Sequence, residues 1–317
     1  MLGGNGRYIA LVVAEAAIYG AGNVVMKVAY EGITPLWCMA LRFGIALAVL
    51  MIVAGPRVLR SLRQARVSAW LPSGLAMAGT YLACSLAVDL TTATSAGFFV
   101  SLPMLFAPLF ALVLAGERYE RSTVLLQVVA VAGLYLLCCG GGGARFGAGE
   151  VLGLVSSASF ALMLVFTRNG AREVDPLALA AAQMAVTFAA SLAAAAAAEP
   201  LPALAEMPAR STAAILLLAC VGTCLPMALQ NVALTRVPPT IVSAILCSEP
   251  VFTAAVSAAV LGETLGGTGM LGAAVVVAAT VAASLQGSEG TARMRRRAGR
   301  SALRMRRRVA TSLRALV

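Results

Sequence analysis

Long apolar runs separated by short polar punctuation occupy most of this chain. A bilayer core of about 30 Å needs roughly 20 apolar residues per helix. Ten segments meet that length, at about 8–29, 35–55, 69–89, 93–115, 122–139, 149–168, 176–198, 211–234, 238–261 and 267–286. The loops between them are short, which predicts an all-α polytopic membrane protein packed as a compact bundle. No stretch is left over for a soluble catalytic domain. The first span is expected to be retained rather than cleaved, because it is long, carries Glu15, Asn23 and Lys27, and precedes nine others.

Composition agrees. Of 317 residues, 60% are hydrophobic and 12% charged, and the mean hydropathy is +0.90. Counting glycine raises the apolar share to about 69%, against roughly 45–50% in an average soluble chain. Charge then gives orientation. The net charge is +11, carried almost wholly by arginine. With the N-terminus in the cytoplasm, the inner loops and tail collect 20 basic residues, among them Arg57, Arg60, Arg63, Arg66, Arg168, Arg172 and Arg236. The outer loops hold three, Lys27, Arg145 and Arg210. Both ends are therefore expected inside, in a cytoplasmic (cell) membrane.

Composition also excludes chemistry. There is no histidine, so Ser–His and Cys–His pairs and His-containing zinc sites are ruled out. The two aspartates, Asp89 and Asp175, fall at opposite membrane surfaces, about 30 Å apart, too far for a paired-aspartate protease. No GxxxxGK[ST] phosphate loop is present, so nothing supplies ATP coupling. The chain is not expected to be an enzyme or to hold a cofactor or metal. All seven cysteines lie in spans and read as small apolar filler, although Cys220 and Cys224, one turn apart, have the softness for Cu(I).

The chain repeats itself. An offset of 141 places Lys27 on Arg168, Pro35 on Pro176 and Arg42 on Gln183, and an offset of 146 places Gly116–Glu117 on Gly262–Glu263. Residues 8–140 and 148–286 thus form two halves of five spans, joined by a linker at 141–147 beside the run Gly140–Gly143. Five is odd, so the second copy enters the membrane inverted, an arrangement that gives many secondary transporters two equivalent states around one central site.

Particular residues then resemble a known family. Ile18-Tyr19-Gly20-Ala21-Gly22-Asn23 leading through Lys27 to Thr34-Pro35 and Leu41-Arg42-Phe43 is similar to the opening of EamA-like members of the drug/metabolite transporter superfamily. Pro108-Leu109-Phe110 running to Gly116-Glu117-Arg118 is similar too, and Ser248-Glu249-Pro250-Val251-Phe252 running to Gly262-Glu263 more so. The resemblance covers about residues 8–286 and implies ten helices, both termini inside, and movement of small metabolites by alternating access, often outward. It also implies that spans 5 and 10 are peripheral and that the protein works as a monomer. Tyr19 stands where the family usually has tryptophan, and Glu15 is not part of the family pattern.

Ionisable groups deep in a span cost about 2.5–3.5 kcal/mol each on insertion, so each needs a partner, water or a task. Glu249 lies near the midplane of span 9. The following Pro250 has no amide hydrogen, which frees the Leu246 carbonyl and predicts a kink where an amine or proton can bind. Ser243 and Ser248 are its expected partners. Glu15, Tyr19 and Asn23 make a polar stripe at i, i+4, i+8 on span 1, suited to proton exchange. Arg42 is placed to hold a substrate carboxylate or to neutralise a glutamate, and its repeat mate Gln183 is neutral, which suits an asymmetric substrate. Gln230 and Asn231 form a weaker polar pair. Lys27 is expected to snorkel outward, and Glu117 and Glu263 to be structural.

The tail holds ten arginines between Arg293 and Arg314. Ala302, Met305, Val309, Leu313 and Leu316 align as one apolar helix face, predicting a basic helix on the anionic lipids of the inner leaflet rather than a nucleic-acid site. The sequence therefore predicts a secondary transporter for a zwitterionic or cationic, amino-acid-like metabolite, with protons as a coupling ion. A flippase for a lipid-linked substrate, or a non-transporting scaffold, is the alternative class.

Overall fold

The computed structural model describes residues 6–90, 98–115, 121–139, 147–261, 266–283 and 285. Gly116–Glu117, Gly262–Glu263, the linker glycines and the arginine-rich tail lie outside them, as do the side chains of Lys27 and Asp89. The described helices are α1 (Gly6–Tyr30), α2 (Pro35–Gln64), α3 (Val67–Leu90), α4 (Pro103–Ala115), α5 (Arg121–Cys139), α6 (Ala148–Gly170) and α7 (Pro176–Ala198). They continue with α8 (Ala209–Leu234), α9 (Pro239–Leu246), α10 (Glu249–Leu261) and α11 (Gly267–Ala283). Six spans among the described residues are long and apolar enough to cross a membrane. The outer surface is apolar, with Ile52 83% and Val53 78% exposed, as suits a lipid-facing wall.

Two predicted boundaries move. α2 runs to Gln64 rather than stopping near residue 55, so Arg57, Arg60 and Arg63 ride on its extra turns. The ninth span is two helices, because the chain breaks at Cys247–Ser248 and restarts at Glu249. Pro250 accounts for the restart: it lacks an amide hydrogen and suits the first turn of a helix.

The two halves interlock rather than sit side by side. α1 and α2 hardly touch, while α3 packs against α6, α2 against α7, α1 against α8 and α10, and α4 against α6 and α9. Exchanging the halves maps these pairings onto one another, and α2–α7 maps onto itself. Glycine permits the closest crossings. A Cβ on Gly170 would lie 2.2 Å from the Ala69 carbonyl oxygen, and one on Gly272 only 2.3 Å from the Leu137 nitrogen. The principal core gathers Phe43, Met77, Met163, Leu164, Leu179, Met184, Met227 and Leu234 from both halves.

The α2–α7 pair is antiparallel and tied at both ends. Glu199, just past α7, accepts hydrogen bonds from Thr34 Oγ1 (2.5 Å) and from the Leu36 and Trp37 amides (3.1 Å each) at the start of α2. At the other end Asp175 caps α7 through the Leu177 amide (2.9 Å) and pairs with Arg57 (2.5 Å). The Asp175 amide donates to Ser61 Oγ (2.9 Å). A carboxylate at a helix start meets free amides and the positive end of the dipole.

Candidate functional site

Two of the polar residues singled out by sequence, Asn23 and Glu249, meet at the α1–α10 contact. Glu15, Tyr19 and Asn23 lie on successive turns of α1, and Glu249 opens α10. Asn23 Nδ2 donates to Glu249 Oε1 at 2.9 Å and to Thr253 Oγ1 at 3.2 Å. Between Tyr19 and Asn23 sits Gly20, and it must be glycine: a Cβ there would lie 2.6 Å from Phe252 Cβ, 2.8 Å from the Thr253 nitrogen and 2.9 Å from the Glu249 carbonyl oxygen. The break before Glu249 places its carboxylate at a helix N-terminus inside the bundle, where partial positive charge favours it. Ser243 and Ser248 are not its partners. Ser248 Oγ donates to Ile245 O (2.6 Å) and Ser243 Oγ to Thr240 O (3.1 Å), because a serine in or just past a helix reaches the carbonyl three residues back most easily.

Arg42 reaches the same neighbourhood from α2 and is 6% exposed. Its Nε donates to Thr223 Oγ1, Nη2 to the Gly222 carbonyl at 3.1 Å, and Nη1 approaches Met26 Sδ at 3.7 Å. The guanidinium also lies 5.7 Å from the Phe43 ring centre and 5.6 Å from that of Tyr81, within cation–π range. Met26 lies one turn past Asn23, whose amide holds Glu249, so Arg42 and Glu249 approach the same stretch of α1. Among the described residues no ion pair closes between Arg42 and Glu249.

Glu15 is fully buried, and both its carboxyl oxygens lack a hydrogen-bond partner. An unpaired carboxylate so placed is costly unless it takes up a proton or meets a visiting cation.

Gln183 is held elsewhere. It donates from Nε2 to Thr167 Oγ1 at 2.7 Å and accepts from Asn231 Nδ2 at 2.9 Å, fully buried between α6, α7 and α8. The offset that aligns Arg42 with Gln183 also aligns Met26 with Thr167, and in each copy the two aligned residues touch. The copies preserve the contact and change its chemistry.

Tyr81, Thr223 and Gly222 belong to the site and were not singled out by sequence. Gly222 and Thr223 lie in a π turn, Cys220–Cys224, inside α8. Residue 226 is proline, so the ordinary i+4 donor to the Gly222 carbonyl is missing and that oxygen is free to accept from Arg42. The spacing Gly222–Pro226 was the available signal. Tyr81 carried none.

A buried arginine and a half-buried glutamate among interlocked helices, with the span broken just before the glutamate, fit a membrane carrier. Matching against known families places an EamA-like transporter model on residues 6–139 and again on 147–285. The chain belongs to the EamA-like transporter family. It is a multi-pass membrane protein of the drug/metabolite transporter type with the family's two-repeat architecture, and transport of a small molecule, not catalysis, is what the family does. No curated protein matches it. A solved crystal structure is similar over 89% of this chain and 98% of the other, at 19% identity and a TM-score of 0.76, and it shows the shared fold.

Proposed function

We propose that this EamA-like transporter exports a small, amino-acid-like metabolite, zwitterionic or cationic, by alternating access across the cytoplasmic membrane. Residues 8–140 and 148–286 are the two moving units, joined by 141–147, with both termini cytoplasmic and the tail on anionic lipid. The observation that carries this reading is the unclosed pair: buried Arg42 and half-buried Glu249 reach the same stretch of α1, at Met26 and Asn23, yet each is held by neutral groups and no ion pair closes between them among the described residues. A substrate with an ammonium and a carboxylate bridges such a pair. Asn23 keeps the Glu249 carboxylate aimed, and the Phe43 and Tyr81 rings help hold the Arg42 guanidinium in place. Glu15, unpaired one turn before Tyr19, exchanges the coupling proton.

The test is metabolite profiling of the medium of bacteria expressing the protein or Glu249→Gln. One metabolite class is expected to accumulate outside only with the unmodified protein. Equal accumulation with both would reduce Glu249 to a structural role, and no accumulation despite correct insertion would turn the question to uptake or lipid flipping. Glu15→Gln is expected to keep substrate exchange while losing acceleration by an imposed pH gradient, measured in proteoliposomes.

A further inference from the structure

We infer that the Gln183 cluster is a binding site for a small alkali-metal cation, sodium first. Five fully buried side chains close a circuit between α6, α7 and α8: Gln230 Nε2 to Met163 Sδ (3.4 Å), Thr167 Oγ1 to the same sulfur (3.4 Å), Gln183 Nε2 to Thr167 Oγ1 (2.7 Å), and Asn231 Nδ2 to Gln183 Oε1 (2.9 Å). The backbone between Gln230 and Asn231 completes it. Each side-chain donor on the circuit bonds another of its members. Not every acceptor does. Gln230 Oε1 and Asn231 Oδ1 have no hydrogen-bond partner, nor has Thr187 Oγ1, one turn deeper on α7 below Gln183, and all three residues are 0% exposed. Buried acceptors left open need an explanation, and the explanations are a water or an ion.

The chemistry selects among ions. Neutral amide and hydroxyl oxygens are hard ligands, suited to alkali or alkaline-earth cations rather than to soft metals. The circuit has no carboxylate, so a divalent ion would arrive with its charge uncompensated, whereas a monovalent one needs only oxygens that replace its water. Gln230 and Asn231 lie in the last turns of α8 and Thr167 in the last turn of α6, so the negative ends of two helix dipoles point the same way. Arg168, next to Thr167 in the chain, donates from Nη1 to the Leu234 and Val237 carbonyls at 3.0 and 2.9 Å. This site is separate from the Arg42–Glu249 pair, and its occupancy requires no substrate.

Equilibrium binding of radioactive sodium to the purified full-length protein in lipid nanodiscs, without substrate, tests it. Saturable binding near one ion per chain is expected, displaced by unlabelled sodium but not by choline at equal ionic strength. A thermal-shift titration should show the same selectivity. Asn231→Leu and Thr167→Val should each weaken binding by about tenfold or more, with Thr167→Ser restoring it. Displacement by potassium as readily as by sodium would overturn the assignment to sodium. No saturable binding to the unmodified protein would overturn the site altogether and leave water on those oxygens. Because no transport is measured, either result stands apart from the fate of the substrate reading.

Discussion

Arg42 and Gln183 occupy equivalent places in two copies of one unit, and the copies spend them differently. Arg42 reaches out of its own half to Thr223 and Gly222 on α8, and its guanidinium lies near two aromatic faces. Gln183 stays within its own half, bonded to Thr167 and Asn231. A duplicated fold keeps the backbone frame because the interlocked packing demands it, and it is then free to put charge in one copy alone. The charge of one copy and the neutral amide of the other therefore sit in separate surroundings, not at two ends of one site.

The harshest way to break the comparison is to charge the neutral copy. Gln183→Arg puts a guanidinium among neutral groups with no acid beside it, and should cost about 3 kcal/mol, seen as a lower unfolding midpoint in detergent. Arg42→Gln makes both copies neutral. It strips Thr223 and Gly222 of their donor, costing about 2 kcal/mol, and abolishes transport in proteoliposomes. Transport that survives Arg42→Gln would mean the asymmetry serves stability and not the substrate.

Gly20→Ala probes the contact both functional elements share. Its new methyl meets Phe252, Thr253 and the Glu249 backbone, so α1 and α10 must part by several tenths of an ångström. A loss of about 1–3 kcal/mol is expected. Transport should fall more than with Gly22→Ala, where a Cβ meets only Leu218 Cδ2 at 3.7 Å.

Much of this was legible in the sequence. The apolar runs gave the fold class, and the duplicated motifs gave the family. The arrangement of the site was less so, for a physical reason: its bonds join residues far apart in the chain. Asn23 and Glu249 are 226 residues apart, and Arg42 and Thr223 are 181 apart. Local reasoning assigned Glu249 to Ser243 and Ser248, which instead satisfy carbonyls three residues back. The rule that a proline frees the carbonyl four residues earlier was applied to Pro250 and applies equally to Pro226, whose freed carbonyl Arg42 uses. Gln183 was grouped with Arg42 because equivalence in a repeat says where a residue sits in its own copy, and says nothing of how close the copies bring the two.

The ends of α2 and α7 repeat the lesson at the smallest energies. Offset 141 also aligns Thr34 with Asp175, the N-cap positions of the two helices, each followed by proline. Asp175 caps its own helix, while Thr34 makes no cap and Glu199 is brought across from the other helix to do it. Glu199→Ala removes the partner of three donors and should cost about 1–2 kcal/mol. Arg57→Ala removes only an ion pair whose arginine is 65% exposed, worth about 0.2–1 kcal/mol. Salt separates them further. Raising ionic strength should erase the effect of Arg57→Ala, because exposed charges are screened, and leave most of the effect of Glu199→Ala, because amide donors without an acceptor stay unsatisfied at any salt. Equal salt sensitivity of the two variants, measured by thermal unfolding, would show that Glu199 acts through its charge rather than as a hydrogen-bond cap.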